Sequence, residues 1–469
     1  MKANHAVEQR EARLCRVLNS FYFGHRRLHR SLTNFHNRQS DKRRLHRPCN
    51  TASFVAHILL STFGSFGDLY PYLALGSELQ RRGHTVTIAS SAIYRDQVVA
   101  EGLAFHAVRP DISLDAREAI AYVMDARHGA ERLLRYLAAC VRDSYEDVLA
   151  AAGHADIIGT HPATYASVLV AQKLRVRWFS TVLAPLSLFS TYDPPVLAEA
   201  PWLARLRFLG PGFWRRALAL GMRRALGWMQ PLSDLRRELG LGPADNPVFA
   251  GQHSPSLVLA LFSRYLASPQ PDWPRQTIVT GFPFYEHGEL SSDLAEFLDD
   301  GPAPVVFTLG SSAVGAAGDF YQSSLDAVQR LGVRAVFLTG SHPQGLPEIL
   351  PDGVLRAAYA PHALLFPRAA VIVHQGGIGT TAQALRSGRP MLVVPFAFDQ
   401  FDNGERSRRL GAAEVLYRSR YNARQAEPVL RRLIEEASYS RASSAIGERV
   451  RAENGSANAA DAIESLLRS

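Results

Sequence analysis

The fold of this chain is decided by residues 371–403, which read VIVHQGGIGTTAQALRSGRPMLVVPFAFDQFDN. The segment opens with an apolar run that is typical of a buried parallel strand, and a glycine-rich turn follows at 376–379. Residues 380–386 then predict a helix, which Gly388 ends, and 391–394 predict a second buried strand. This order of elements predicts a doubly wound parallel α/β sheet in which a helix N-terminus is directed at an anion.

Polar side chains follow both of these predicted strands. His374 and Gln375 end the first strand, and Asp399 and Gln400 come just after the second. Ligands of open α/β sheets bind beyond the carboxyl ends of the strands, where such side chains meet. A glycine turn alone more often belongs to a tightly packed βαβ unit, but polar residues at two strand ends favour a binding site.

Together these residues resemble the donor-binding signature of the UDP-glycosyltransferase superfamily. That signature runs His-His-Gly-Gly-x-Gly-Thr-Thr, then a strand containing proline, then Asp-Gln-x-x-Asn. The resemblance is greatest to bacterial antibiotic and sterol glycosyltransferases and to the rhamnosyltransferase chain that makes rhamnolipids. It covers about residues 55–450. It implies the GT-B fold, an α/β architecture of two Rossmann-like, doubly wound parallel-sheet domains that face a central cleft.

The resemblance also implies that the segment binds a nucleotide sugar. Many family members carry two consecutive histidines, whereas here His374 is followed by Gln375, so either residue could contact the pyrophosphate. The Thr380 hydroxyl and the N–H groups of the turn would stabilise the leaving nucleoside diphosphate. Gln383 stands where plant relatives hold a ribose-binding glutamate, which leaves UDP and dTDP donors both open.

Other positions complete the expected donor site. The family stacks an aromatic ring on the nucleobase where this chain has Tyr359, which is also compatible with core packing. Asp399 and Gln400 match a carboxylate–amide pair that binds sugar hydroxyls. The expected donor-binding residues are Gly64, Gly67, Ser311, Tyr359, His374, Gln375, Gly376, Gly377, Gly379, Thr380, Gln383, Asp399 and Gln400.

Asp68 is the expected catalytic base. It lies between a predicted strand at 58–61 and a helix predicted over 70–82, in the stretch Gly-Ser-Phe-Gly-Asp. Bacterial relatives have Gly-Ser/Thr-x-Gly-Asp-x-x-Pro here, completed by Pro71, and the resemblance implies that the aspartate accepts the proton of the acceptor hydroxyl. An aspartate at a helix start is equally expected as a helix cap.

Two histidines have different expected roles. His161 ends another predicted strand and is expected to line the acceptor pocket, although a lone histidine is also compatible with hydrogen-bonded structure. Plant relatives use a histidine in the loop that carries Asp68, and this chain has none there. His57 lies at the opposite end of its strand and is expected to be structural.

No metal site and no resident cofactor are expected, since the chain contains no Asp-x-Asp pair and no paired-cysteine spacing. Two alternatives on the same fold stay open: a nucleotide-sugar epimerase, and a catalytically silent sugar-nucleotide-binding partner of another enzyme. An NAD-dependent oxidoreductase is disfavoured. Asp399 comes near the spacing required after the glycine turn, but Gln400 and Pro395 beside it fit sugar recognition better.

The composition is that of a two-domain protein without a transmembrane segment. Its 469 residues exceed one typical core, and no apolar run reaches the roughly 18–20 residues that cross a bilayer. The first 50 residues hold 12 Lys and Arg against 3 Asp and Glu, which accounts for the whole formal net charge of +9. Since the folded domains are not basic, no nucleic-acid partner is expected. Three cysteines favour a reducing, cytoplasmic setting.

The expected organisation has five parts. Residues 1–53 form a basic disordered extension, 54–281 an acceptor-binding Rossmann-like domain, 282–291 a linker, 292–450 a nucleotide-sugar-binding Rossmann-like domain, and 451–469 a C-terminal helix that packs back on the first domain.

Residues 186–232 interrupt the alternation of strands and helices and are rich in aromatic and basic side chains. Arg215, Arg216, Arg223 and Arg224 recur at helical spacing, which fits either an interfacial helix that contacts lipid or an ordinary solvated face. We therefore expect a hydrophobic small-molecule or lipid acceptor, with peripheral contact at the inner face of a membrane as a further expectation. The resemblance implies sugar transfer by a single inverting displacement.

Overall fold

The computed structural model describes residues 55–111, 117–340 and 345–469. The basic extension expected at 1–53 lies outside these described residues. Two parallel sheets, each covered by helices, form the body of the chain. The expected fold class, two doubly wound α/β domains facing a cleft, is confirmed.

The first domain is built on seven strands. They are β1 His57–Ser61, β2 Thr85–Ser90, β3 Ala104–Ala107, β4 Ile157–Thr160, β5 Arg177–Val182, β6 Val258–Ala260 and β7 Thr277–Val279. Their order across the sheet is β3-β2-β1-β4-β5-β6-β7. Ile58 pairs with Val86 on one side and with Ile157 on the other. The order of the chain reverses between β1 and β4, and such switch points leave a crevice at the strands' carboxyl ends.

The helices of this domain flank the sheet and extend beyond β5. The α-helices are α1 Phe66–Arg81, α2 Arg95–Ala100, α3 Arg117–Val123, α4 Gly129–Ala139, α5 Val141–Ala151, α6 Tyr165–Leu174, α7 Gly210–Trp228 and α8 Gln230–Glu238. The 3-10 helices are Ala92–Tyr94, Ala152–His154, Pro185–Leu188, Pro201–Leu209 and Ala250–Gln252.

The second domain is built on six strands. They are β8 Val305–Thr308, β9 Ala335–Leu338, β10 Val354–Ala357, β11 Val371–His374, β12 Met391–Val393 and β13 Ala413–Val415. Their order is β10-β9-β8-β11-β12-β13, so the switch point lies between β8 and β11. The fully buried strand residues, such as Val373 and Leu392, explain why these segments read as continuous apolar runs.

The helices of the second part of the chain flank the second sheet or follow it. The α-helices are α9 Ser292–Asp299, α10 Gly310–Ala313, α11 Phe320–Leu331, α12 His362–Leu365, α13 Ile378–Ser387, α14 Gln400–Arg409, α15 Ala423–Glu435, α16 Ala437–Arg451 and α17 Gly455–Arg468. The 3-10 helices are Val314–Ala316, Phe366–Arg368 and Arg418–Arg420.

The helix predicted over 70–82 begins four residues earlier, at Phe66. Ser65 is its N-cap, since its side chain accepts the Gly67 N–H, and Asp68 reaches back to the Ser65 backbone. This reciprocal pair is a capping box, which satisfies two otherwise free N–H groups at the helix start. The predicted start was therefore one turn too late, and Pro71 lies inside the helix.

The last helix, α17, leaves the second domain and packs on α1 of the first. Ala459, Ala460 and Ile463 are fully buried in the core of the first domain. Arg82 Nη1 lies 2.5 Å from Asp461 Oδ1 at the edge of this contact. The chain therefore crosses between the two domains twice.

Candidate active site

A cavity of about 1280 Å³ lies between the two domains. It is lined by the segments that follow β1 and β4 in the first domain and by those that follow β8, β11 and β12 in the second. These are the two switch points, so the cavity is where the topology of both sheets predicts ligand binding.

Asp68 lies at the floor of this cavity, with its side chain 31% exposed. Its Oδ2 accepts hydrogen bonds from the Ser65 N–H at 2.7 Å and from the Ser65 hydroxyl at 3.1 Å. A Cβ on Gly64 would lie 2.3 Å from this same oxygen, and Gly64 has a φ of +135°. Glycine is therefore required at position 64 to admit the carboxylate. Asp68 therefore caps its helix through Oδ2, and its other oxygen, Oδ1, takes no part in the cap.

His161 contacts that second oxygen. The ring's Nδ1 accepts the Ala163 N–H at 3.0 Å, and Nε2 lies 3.4 Å from Asp68 Oδ1. A backbone N–H can only donate, so in the neutral ring the proton resides on Nε2, the ring nitrogen that lies near the carboxylate. Sequence analysis expected both residues at this edge of the sheet but not their contact, which arises because β1 and β4 are neighbours.

His374 does not reach the cavity. Its side chain is fully buried, Nδ1 accepts the Gly376 N–H at 3.1 Å, and Nε2 lies 3.4 Å from Met391 Sδ. Burial lowers the pKa of His374 to about 3, so the ring is neutral. Of the two residues that the sequence left open, His374 therefore does not line the cavity, because successive residues at a strand end point to opposite sides. Gln375 instead lines the cavity.

The glycine turn has two distinct functions. Gly376 has a φ of +90°, and a Cβ there would lie 2.7 Å from the Gln400 carbonyl oxygen, so this position requires glycine. Its N–H donates to His374 Nδ1 and is not available to a ligand. Gly377 is the N-cap of α13. The first N–H groups of a helix have no intrahelical partner. The N-terminus of α13, with Gly377, Gly379 and Thr380 lining the cavity, therefore has the geometry that can bind an anion.

A further glycine that sequence analysis did not include supports this turn. Gly310, with a φ of +59°, opens α10. A Cβ there would lie 2.5 Å from Gln375 Nε2 and 3.3 Å from Thr380 Oγ1. The bare backbone at 310 thus lets both polar side chains lie beside the cavity, next to Ser311.

Asn403 ties the two strand ends of the second domain together. Its Nδ2 donates to the Gly376 carbonyl at 2.9 Å and to Asp399 Oδ2 at 2.7 Å. Burial, which outweighs the opposing hydrogen bond from Asn403, raises the pKa of Asp399 to about 7, and the charge of Asp68 acts in the same direction as burial. Gln400 Oε1 accepts the N–H groups of Phe396 and Ala397, so only its amide N–H groups remain for a ligand.

An aromatic cluster lies where the linker meets both domains. Tyr359, 54% exposed, and Tyr70 of α1 bring their hydroxyls to 3.0 and 3.2 Å from the same His287 Nε2. The His287 ring stacks on Tyr285 with 4.7 Å between ring centroids. Sequence analysis named Tyr359 but missed the other three, because their meeting depends on how the domains dock. Gln383 also lines the cavity, and its Oε1 has no hydrogen-bond partner among the described residues.

The part of the cavity inside the first domain is mostly apolar. It is lined by side chains from α4, α7 and two loops, among them Leu134, Phe189, Trp214, Leu218, Trp228 and Phe249. Trp214 and Leu218 belong to the aromatic, basic stretch that sequence analysis singled out, and they lie on its buried face. Asp68 lines the same cavity as this apolar chamber.

An ion-pair cluster joins the loop before the 201–209 helix to α14. Arg406 is buried, and its Nε lies 2.7 Å from Asp402 Oδ2, while Asp193 binds its other end. Asp402 also accepts the Val196 N–H at 3.0 Å. Burial raises the pKa of Asp193, but Arg406 and Arg409 outweigh it and hold that pKa at about 2. The loop beside the apolar chamber is thus attached to the helix that follows Asp399.

Within the described residues, no group of three His, Cys, Asp or Glu side chains is arranged to hold a metal ion. In the same part of the chain, no helix is both long and apolar enough to cross a membrane.

Two family models match the chain. Residues 323–466 match the erythromycin biosynthesis protein CIII-like C-terminal domain, and residues 58–137 match the glycosyltransferase family 28 N-terminal domain.

Known proteins and structures match over most of the chain. O-mycaminosyltylonolide 6-deoxyallosyltransferase of Streptomyces fradiae is 30% identical over 424 residues, which is 87% of this chain and 96% of that protein. Sterol 3-beta-glucosyltransferase of Yarrowia lipolytica is 27% identical over 86% of this chain, which spans only 28% of that protein. The solved structure of glycosyltransferase VinC in complex with dTDP matches with a TM-score of 0.64 at 20% identity, covering 88% of this chain and 100% of that one.

Proposed function

Since this chain belongs to the UDP-glycosyltransferase superfamily and is a glycosyltransferase of the GT-B type, we propose that it transfers a sugar from a UDP- or dTDP-sugar to a hydroxyl group of an apolar acceptor, with inversion at the anomeric carbon.

One observation carries this proposal. Asp68 in the first domain and the N-terminus of α13 in the second domain line one cavity, and apolar side chains of the first domain line the same cavity. A base, an anion site and an apolar pocket are the three parts that direct transfer from a nucleotide sugar to an apolar alcohol requires.

The donor would lie along the second domain. The free N–H groups of α13, the Gln375 amide and the Thr380 hydroxyl would bind the diphosphate. The exposed face of Tyr359 would stack on the base, and Gln383 would bond a ribose hydroxyl. Asp399 and the amide N–H groups of Gln400 would bind hydroxyls of the sugar.

The reaction would proceed in one displacement. The acceptor oxygen attacks the anomeric carbon while the bond from that carbon to the diphosphate oxygen breaks. The proton of the acceptor hydroxyl passes to Asp68, and the negative charge that develops on the diphosphate is stabilised at the helix N-terminus. His161 would be a positioning residue: its Nε2–H holds Asp68 Oδ1 in place, while Ser65 holds Oδ2. In this scheme the chain's own dipoles stabilise the leaving group, so the proposed reaction does not use a metal ion.

The acceptor class follows from the chamber. Its walls of aromatic and aliphatic side chains favour a bulky apolar molecule. By name, one relative acts on a macrolide derivative and another on a sterol, which supports testing both of these classes.

The test begins with donor binding. Thermal melts of the full chain with UDP, dTDP and NAD should show a rise in melting temperature with one of the first two nucleotides. Turnover of the matching sugar nucleotides is then followed with sterol and macrolide acceptors and with a chelator present, and the anomeric configuration of the product is read by NMR. Stabilisation by NAD alone would overturn the proposal, as would conversion of the sugar nucleotide to an epimer without an acceptor.

A further inference from the structure

The segment that walls the apolar chamber has a second, outward face. Residues 201–229 contain six arginines and no Asp or Glu, although the chain beyond residue 50 carries no net charge. Two of these arginines are paired, Arg207 with Asp193 and Arg224 with Glu131. The other four make no ion pair with any described residue. A cluster of unpaired positive charge so close to the chamber needs an explanation beyond solubility.

Large apolar side chains are exposed between these arginines in a regular pattern. A 3-10 helix repeats every three residues, so Trp202, Arg205 and Phe208 form one row along the 201–209 helix. Trp202 is 61% exposed and Phe208 is 79% exposed. Exposure of such rings to water is unfavourable, whereas the boundary between lipid headgroups and acyl chains accommodates a ring beside a cation.

The next helix continues the pattern. In α7 the residues at positions i, i+4 and i+7 share a face, and Arg216, Leu220 and Arg223 are exposed, Leu220 to 72%. Trp214 and Leu218, on the other side of the same helix, are buried and line the chamber. One helix therefore separates the apolar chamber from an outward surface that is both basic and apolar.

We propose that the outward face formed by Trp202, Arg205, Phe208, Arg216, Leu220 and Arg223 binds the surface of an anionic lipid bilayer. The arginines attract the anionic headgroups, and the two rings and Leu220 enter the boundary below them. Bilayer binding puts the chamber next to the phase in which an apolar acceptor dissolves. The uptake of an apolar acceptor from the bilayer rests on the proposed function, but the binding of this face to the bilayer does not.

The test uses the full chain and vesicles of phosphatidylcholine with or without phosphatidylglycerol. We expect flotation with the anionic vesicles, and a loss of about fivefold in partition coefficient for each arginine removed in Arg216→Ala/Arg223→Ala. The matched control is Arg420→Ala/Arg424→Ala, which removes the same charge from exposed positions in the second domain that make no ion pair with described residues. This control should bind like wild type.

A second readout separates this face from the basic extension at 1–53, which is present in every variant. Brominated lipids quench tryptophan only on close contact. Trp202 is 61% exposed, whereas Trp228 is half-buried against the chamber and Trp178, Trp214 and Trp273 are buried. Quenching should occur in the wild type and disappear in Trp202→Phe. Unchanged quenching in that variant, or equal losses in both arginine pairs, would overturn the proposal. The proposal would also be overturned if the wild type bound no vesicles but formed an oligomer that Phe208→Ser dissociates. Nucleotide melts run in parallel show whether the donor site is intact, so failure of the two proposals can be distinguished.

Discussion

Gly67 and Gly379 lie against each other across the cleft: a Cβ on Gly379 would lie 3.5 Å from the Cα of Gly67. Each belongs to the first turn of a helix, α1 in the first domain and α13 in the second. Two helix starts meet here without side chains between them. The close contact brings the candidate base and the candidate diphosphate site to the same cavity.

Substitution at Gly379 should therefore change the distance between the candidate base and the candidate diphosphate site without unfolding either domain. An alanine Cβ would make an ordinary contact with Gly67, whereas Gly379→Leu would push the domains apart. We expect the leucine variant to lose about 10²-fold in kcat/KM, the scale of a 1 Å misplacement of reacting groups. Its melting temperature without ligand should stay close to that of Gly379→Ala. Full activity in the leucine variant would contradict this geometry.

Asp68→Asn should abolish most of the transfer activity while preserving the fold. The asparagine oxygen can still accept the Ser65 N–H, so α1 keeps its cap. We expect kcat to fall by about 10²–10⁴-fold, the usual contribution of a general base. Asp68→Ala should in addition lose about 1 kcal/mol of unfolding free energy through the lost cap. Denaturant titrations of both variants give the comparison, and an active asparagine variant would argue against the assigned role.

His161→Leu should lower kcat without changing donor affinity. Its imidazole contacts Asp68 and the Ala163 backbone and does not belong to the second domain, so nucleotide-induced stabilisation should persist. We expect a loss of roughly tenfold, and partial recovery in His161→Gln, whose amide N–H can donate to the carboxylate. A purely structural histidine would instead lower the melting temperature in both variants and leave kcat of the folded fraction intact.

Asp399 should make stability depend on pH near neutrality. Its pKa of about 7 in the folded chain exceeds its ordinary value of about 3.9. The folded state therefore favours the protonated carboxyl, and the associated stability is fully present below about pH 4 and is lost as pH rises from about 4 to about 7. Asp399→Asn, which stays neutral, should show a flatter dependence of melting temperature on pH between about pH 4 and 7. Parallel pH dependence in the two proteins would show that another group is responsible.

Arg406→Met should destabilise the chain strongly. The substitution removes the cation closest to the buried Asp402, which keeps, among the described residues, only Arg207 at 4.0 Å, while Asp193 retains Arg207 and Arg409. Removal of one partner of a buried ion pair costs about 3–5 kcal/mol, measured as unfolding free energy in urea. The exposed Arg424→Met should change it by less than about 0.5 kcal/mol. Asp402→Asn/Arg406→Met should regain part of the loss, since one unpaired charge is removed.

The sequence predicts the order of strands and helix in residues 371–403 well, because the apolar runs, the glycine turn and the helix are all close in the chain. β11, α13 and β12 lie where residues 371–403 predict them. The choice between His374 and Gln375 could not be made, since it depends on which way the last strand residue points. The contact of His161 with Asp68 depends on β1 and β4 being neighbours, and the clusters at His287 and Arg406 depend on how the two domains dock. These contacts join residues that are far apart in the chain or depend on side-chain direction, so local sequence patterns do not predict them.

The return of α17 to the first domain sets the boundaries for building hybrid enzymes. A donor module exchanged between relatives would run from the linker to the end of α16 and would leave residues 455–468 with the acceptor module. A simple swap of everything after the linker would replace Ala459, Ala460 and Ile463, which fill the core of the first domain, with side chains matched to a different α1. Such hybrids would fail through a packing mismatch far from the catalytic centre, and a two-crossover design avoids it.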